Sequence, residues 1–313
     1  MRYAAVVAAS AAAVATFTFA RDGRGSESPA AAIQAAAAQT VPARLARQQA
    51  AARTQEDFRW SGRLARGQEI EIRGIVGNVS AQPASSDQVE VVGRFTGDDG
   101  ERLRVEVEQE GDGVVICVIY PGQRRDRDDG DGPCGHGGDW DGDDEDDEID
   151  AGVDFTVRVP QGVKLAAYTV AGDIDATQLR SDVEVATVAG DVRVSTTGSA
   201  SATSVSGDVE ATFGQTREDM DFTTVSGNVI VRLAGDIGAE VEAQTLTGQI
   251  ESDFPLRTGS MTGHDDEDED DDHHGGVHVN VQIGQRASGT IGGGGPELTV
   301  TTVSGNIRLE RAR

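Results

Sequence analysis

Carboxylates dominate the chemistry open to this chain: 54 Asp and Glu residues stand against 27 Lys and Arg, a formal charge of −27 over 313 residues. They are concentrated in two places. Residues 126–150 hold 13 acids and a single base, Arg127, and residues 265–272 hold 8 acids and no base, which leaves only −7 for everything else. Runs of Asp interrupted by Gly offer hard oxygen ligands, and the side chains best suited to a divalent cation such as calcium are Asp139, Asp141 and Asp143 in the first run and Asp265 and Asp266 in the second. The fit to a helix–loop–helix calcium site is poor, because Asp144 stands where that loop needs Gly and its twelfth position is Asp150 rather than Glu. Two solvated polyanionic loops are therefore expected, with weak calcium binding as the alternative and no dedicated cofactor. His264, His273, His274 and His278 flank the second run, but no rigid element fixes their spacing for zinc.

Three further carboxylates, Asp173, Asp191 and Asp208, each follow a glycine, and stacked segments would bring them onto one face. Carboxylates paired at a fixed distance hydrolyse glycosides, and a base beside calcium and Arg eliminates across uronic acids. Elsewhere the same position is Asn78, Asn228, Gln249 and Asn306, which marks a turn position rather than a reacting one. No Gly-x-Ser-x-Gly, His-Glu-x-x-His or phosphate-loop motif occurs, Lys164 is the only lysine, and the arginines do not cluster. No catalytic residue is assigned, and a polysaccharide-active β-helix enzyme is kept as the alternative. The acidic balance repels phosphates and argues against nucleic acid. Cys117 and Cys134, 17 residues apart and without CxxC spacing, read as a disulfide if the chain is exported, or else as two free thiols.

What must position these groups is a repeat. An apolar-x-Gly-x-apolar pattern recurs at Gly77, Gly172, Gly190, Gly207, Gly227, Gly248 and Gly305, with a weaker copy at Ala287, Gly289 and Ile291. Around Gly227, Met220, Phe222 and Thr224 alternate with polar residues, then the phase slips by one and Val225, Gly227, Val229 and Val231 take the inward positions. Val188, Gly190 and Val192 repeat this, as do Val303, Gly305 and Ile307. Each copy thus predicts two short strands meeting at a corner, with glycine where a Cβ would crowd the turn. A unit of 17–21 residues cannot bury its own apolar face and must stack on its neighbours in parallel sheets; aromatic residues at 4% suit such a thin core.

The copies Tyr168-Thr-Val-Ala-Gly172-Asp-Ile, Thr187-Val-Ala-Gly190-Asp-Val, Ser204-Val-Ser-Gly207-Asp-Val, Thr224-Val-Ser-Gly227-Asn-Val and Thr302-Val-Ser-Gly305-Asn-Ile resemble the repeats of the DUF4097 family of bacterial adhesin-like proteins of unknown function. Asp253-Phe-Pro-Leu256, Gly289-Thr-Ile-Gly-Gly-Gly-Gly-Pro296 and Val159-Pro160 follow the same habit, so the resemblance spans roughly residues 58–311. It implies a right-handed parallel β-solenoid in the cell envelope or outside the cell, and carries over no catalytic residue.

The chain divides accordingly. Arg2 and the Ala-rich apolar stretch ending at Thr18-Phe-Ala20 form a predicted signal peptide (1–20), or an uncleaved anchor that would hold the protein at the membrane. No cysteine lies near its end, so a lipoprotein anchor is not expected. An Ala/Gln/Arg linker (21–56), an N-terminal β cap (57–123), an acidic insertion (124–150) and the solenoid (151–313), with the acidic loop 264–274 extruded between rungs, complete the expected order. The function expected is that of an exported binding or scaffold module for an unidentified envelope or surface ligand, protein or glycan. A calcium-dependent surface protein is a further alternative.

Overall fold

The computed structural model describes residues 57–121, 134, 149–215, 217–234, 237–262 and 282–312. The predicted signal peptide and linker lie outside them, as do the acidic loop 264–274 and, apart from Cys134, Ile149 and Asp150, the acidic insertion.

The period-two alternation read from the sequence becomes strands. In the N-terminal part these are β1 (Phe58–Gly62), β2 (Glu69–Arg73), β3 (Val79–Pro83), β4 (Val89–Thr96), β5 (Arg104–Glu110), β6 (Gly113–Ile119) and β7 (Gly152–Val159). The repeats follow as pairs: β8 (Lys164–Ala171) with β9 (Ile174–Leu179), β10 (Val183–Ala189) with β11 (Val192–Thr196), β12 (Ala200–Ser206) with β13 (Val209–Phe213), and β14 (Met220–Ser226) with β15 (Val229–Leu233). Then come β16 (Ala239–Thr247) with β17 (Ile250–Ser252), β18 (Arg257–Thr262), β19 (Gln282–Ile291), and β20 (Glu297–Ser304) with β21 (Ile307–Arg311). The first member of each pair joins one open sheet, in the order β5-β6-β2-β8-β10-β12-β14-β20-β16-β19-β18; the second joins another, β1-β4-β7-β3-β9-β11-β13-β15-β21-β17. All pairings from β6 to β16 and from β7 to β17 are parallel, so the chain is a parallel β-solenoid of two-stranded rungs.

Between the sheets runs one continuous apolar core. Val209, Ala211, Phe213, Val229, Val231 and Leu233 are fully buried from one sheet, and Ala202, Phe222, Leu298 and Val300 meet them from the other. Burying each Val or Leu contributes about 2 kcal/mol, and no rung has enough of them alone.

Stacking order and chain order differ at both ends. The first rung, β2/β3, is not outermost: β6 and β7 add outside it, while β8 and β9 add inside. The last rung, β20/β21, likewise slots between β14/β15 and β16/β17. The stretch read as a cap therefore supplies a full rung as well as antiparallel closing strands, with β5 on β6 and with β4 and β1 on β7. At the other end β19 runs antiparallel to β16 and to β18. This corrects the eighth copy. Ala287, Gly289 and Ile291 belong to this closing hairpin, where a Cβ on Gly289 would meet Leu256 rather than a stacked corner. Alternating small and apolar residues look the same whichever way a strand runs. The strands flanking the second acidic loop, β18 and β19, accordingly stand at the end of the stack and not between rungs.

The corner explains the repeat motif. The glycines stack in the order Gly77, Gly172, Gly190, Gly207, Gly227, Gly305, Gly248, and a Cβ on any of the last six would lie about 2 Å from the carbonyl oxygen of the glycine before it. That carbonyl is held by a buried hydroxyl of the next rung. Thr187 donates to Gly172 O at 3.0 Å, Ser204 to Gly190 O at 3.0 Å, Thr224 to Gly207 O at 2.9 Å, Thr302 to Gly227 O at 3.0 Å and Thr245 to Gly305 O at 2.9 Å. The glycine N–H donates onward in turn, as from Gly190 to Ser206 O at 3.0 Å. Thr or Ser three residues before Gly is thus a buried polar group satisfied by the backbone that only Gly lets approach.

The outermost rung lacks the glycine corner because the acidic insertion enters there, between β6 and β7. The Tyr120 hydroxyl takes over, accepting from Val76 N–H at 3.3 Å and donating to Ala151 O at 3.2 Å. Cys117 and Cys134 are disulfide-bonded with Cα atoms 5.6 Å apart, which fixes the insertion to the outer face of β6 beside Val115. Arg73 donates to Cys134 O, and the Cys134 N–H donates to Glu108 at 3.0 Å. Closing such a loop stabilises the fold by about 3 kcal/mol.

Three outcomes test this account. Gly207→Ala forces a Cβ to within 2.0 Å of Gly190 O, whereas Gly214 has no atom within 4 Å of its Cβ position; thermal melts should show a loss of roughly 3 kcal/mol for the first and almost none for Gly214→Ala. Val229 is fully buried, so Val229→Asp should cost roughly 4 kcal/mol, while Asn228→Asp, on the outside of the same corner, should melt like the parent. Equal melting within either pair contradicts the facing assigned here. Intact-mass measurement of protein purified without reductant should find the two thiols short of two hydrogens, and two alkylatable thiols would contradict the disulfide.

Candidate functional site

Outside the corner, the residue after each glycine forms a second ladder. Asp154 Oδ1 accepts the Asn78 N–H at 2.8 Å, Asn78 accepts from Asp173 at 2.8 Å, Asp173 from Asp191 at 2.8 Å, and Asp191 from Asp208 at 2.9 Å. Asp208 then accepts from Asn228 at 2.7 Å, Asn228 from Asn306 at 3.0 Å, and Asn306 from Gln249 at 3.0 Å. One oxygen of each side chain is committed to the backbone of the neighbouring rung, which is why Asp and Asn interchange here. The structure does stack Asp173, Asp191 and Asp208, in a line along one edge. A line is not the facing pair that glycoside hydrolysis needs.

A third row lies two residues before the glycines. Val170, Val225, Leu246 and Val303 are 47%, 44%, 43% and 42% exposed, with half-buried Val188 and Val205 completing the row. This overturns the inward placement of Val188, Val225 and Val303. Thr224 is the last inward side chain of its strand, alternation sends Val225 outward, and the phase slip falls at Ser226 and Gly227 rather than before Val225. Between the valine row and the carboxylate row stand only small residues: Ala171, Ala189, Ser206, Ser226, Ser304 and Thr247, then the glycines. Ordinary repeats demand no apolar residue at an exposed position, so a Val or Leu conserved in register through six rungs of one chain is the site's clearest feature.

Away from the corner, the same outer sheet face is polar. Ser201 and Thr203, Asp221 and Thr223, Thr299 and Thr301 continue across three rungs. Burial pushes the Asp221 carboxyl above its ordinary range, partly offset by the Thr223 hydroxyl that donates to it at 3.0 Å. Toward the N-terminal end, Tyr168 donates to Glu184 at 2.9 Å, and burial followed by the Glu184 charge drives its phenol far above the usual value. Glu69 is also raised, first by burial and then by Glu71 and Glu184, while Lys164 pairs with Asp182 at 3.6 Å. Arg73 is tied to Glu71 and Glu110. Through its bond to Cys134 O, Arg73 joins this cluster to the disulfide. A shallow pocket of about 350 Å³ lies elsewhere, lined by Gly214, Gln215, Arg217, Ile237, Gly238, Gly294 and Pro296, with a single charged side chain.

Asp139, Asp141, Asp143, Asp265 and Asp266, the calcium candidates, lie outside the described residues. Among the described residues no three His, Cys, Asp or Glu side chains are placed to hold a metal ion.

No curated protein matches this sequence. Two solved structures resemble it at low similarity. A "putative cell adhesion protein" from Clostridium sporogenes is 8% identical, with 82% of this chain and 100% of that one covered at a TM-score of 0.36. A "putative adhesin" from Bacteroides fragilis is 12% identical, with 82% and 97% covered at a TM-score of 0.32. The Toastrack DUF4097 family model matches residues 154–310, half of the sequence and all of the glycine-cornered rungs from β8 to β21, and the chain belongs to that family.

Proposed function

We propose that this protein is an exported binding module of the cell envelope or cell surface, and that its contact surface is the corner ridge bearing Val170, Val188, Val205, Val225, Val303 and Leu246. The observation that carries this reading is the exposure of four of these side chains on a rigid, in-register scaffold. A soluble protein gains nothing from an apolar row facing water, and a covered row gains about 25 cal/mol for each Å² removed from solvent. Export is supported by the Arg2-to-Ala20 segment and by a disulfide that an oxidising compartment would preserve. Scaffolding fits the architecture, because a stack of rungs presents a long edge without any moving part. The ordered carboxylates favour binding over catalysis: each is already engaged by the backbone of the next rung.

The test is capture of an envelope ligand by the full chain and by Val225→Asp with Val303→Asp. Both side chains point outward, so the variant should melt within a degree or two of the parent yet retain less than about a tenth of the captured ligand. Undiminished capture by a folded variant would remove the ridge from the binding surface.

A further inference from the structure

Resting on that reading, we infer that the ridge takes a cationic amphipathic α-helix of a partner protein. Two parallel rows define what fits. The valine row is apolar, and the row beside it carries Asp173, Asp191 and Asp208 on three successive rungs, with only Ala, Ser, Thr and Gly between. No lysine or arginine among the described residues forms an ion pair with these three carboxylates, whereas the outer face of the neighbouring sheet is paired, Glu210 lying against Arg193 and Arg232 and Glu310 against Arg232. Like charges one rung apart repel each other, and Asp173, Asp191 and Asp208 each accept the next rung's N–H through Oδ1, which leaves Oδ2 over. A cation laid along them relieves the repulsion. An anionic glycan, nucleic acid or anionic lipid surface would add to it.

Spacing selects the helix. Rungs repeat every ~4.8 Å, so six rows of the ridge span roughly 24 Å. A helix turns every ~5.4 Å, and about 16 residues cover that distance with one apolar contact per turn, drifting by little more than half an ångström per rung. An extended strand repeats its facing side chains every ~6.7 Å and loses register after one rung or two. A helix with Leu, Ile or Val at every third or fourth position and Lys or Arg along one flank places its apolar stripe on the valines and its cations on the aspartates. The small residues between the rows leave room for the body of the helix.

The probe is a fluorescent 18-residue helical peptide with Leu on one face and Lys on its flank, titrated into the full chain at low and high salt and followed by anisotropy. Asp173→Asn, Asp191→Asn and Asp208→Asn combined keep the ladder, because Asn78, Asn228 and Asn306 already accept the same N–H, and remove only charge. This variant should bind about tenfold more weakly and lose most of the salt dependence. Val225→Ser with Val303→Ser should weaken binding at both salt concentrations. A peptide with Glu in place of Lys should not bind. Affinity unchanged by the Asn variant would show that the peptide sits elsewhere, on the acidic loops for instance, and overturns the inference, as does equal binding of the Glu peptide. The two readings fail separately: loss of the envelope ligand on valine substitution alongside indifference to the aspartates retires the cationic helix and leaves the ridge.

Discussion

Everything in this fold follows from one close approach, the glycine of each rung lying with its Cα against the carbonyl of the glycine before it. Because a Cβ there would lie only about 2 Å from that oxygen, glycine alone lets the two backbones come near enough for a Thr or Ser hydroxyl to reach the carbonyl. The hydroxyl is buried, so it would cost stability without a partner, and the carbonyl supplies one. The outer ladder repeats the arrangement with Asp and Asn accepting backbone N–H groups. Each corner is thereby fastened twice to the next, once from inside and once from outside. A slip of one residue would break both, and register is held without any long-range feature.

These fastenings separate the demands on each position. Thr at three before Gly is required by the interior, Asp or Asn after Gly by the exterior, and the Val between them by neither. The row of Val and Leu on successive rungs is therefore free of both fastenings, and a binding role for it is the proposal made above.

Much of the architecture was legible in the sequence because a period of two and a recurring Gly report directly on side-chain direction and backbone proximity. The corners at Gly172, Gly190, Gly207, Gly227 and Gly305 could be located from the motif. Three features were not legible, for physical reasons. Alternation carries no sign of strand direction, so β19 was indistinguishable from a rung. Local pattern says nothing of which rung neighbours which, so the interleaving of β20/β21 between β14/β15 and β16/β17 was hidden. A phase slip of one residue can be absorbed anywhere in a four-residue corner, and assigning it before Val225 rather than after turned the candidate binding row into core. The pairing of Cys117 with Cys134 was readable only because there were no other cysteines to choose from.

The interleaved terminal rungs also set an order of events in time. Among the described residues β17 pairs with β21 alone, and β3 with β7 and β9. A nascent chain that has emerged as far as β17 therefore holds an incomplete sheet with a vacancy one rung wide, and only its last strands can fill it. Closing that vacancy joins segments far apart in sequence, the kind of contact that makes folding slow. The rungs from β8/β9 to β14/β15 can stack as they are made, whereas the seat of β16/β17 in the stack is settled only once β20/β21 has been inserted beside it.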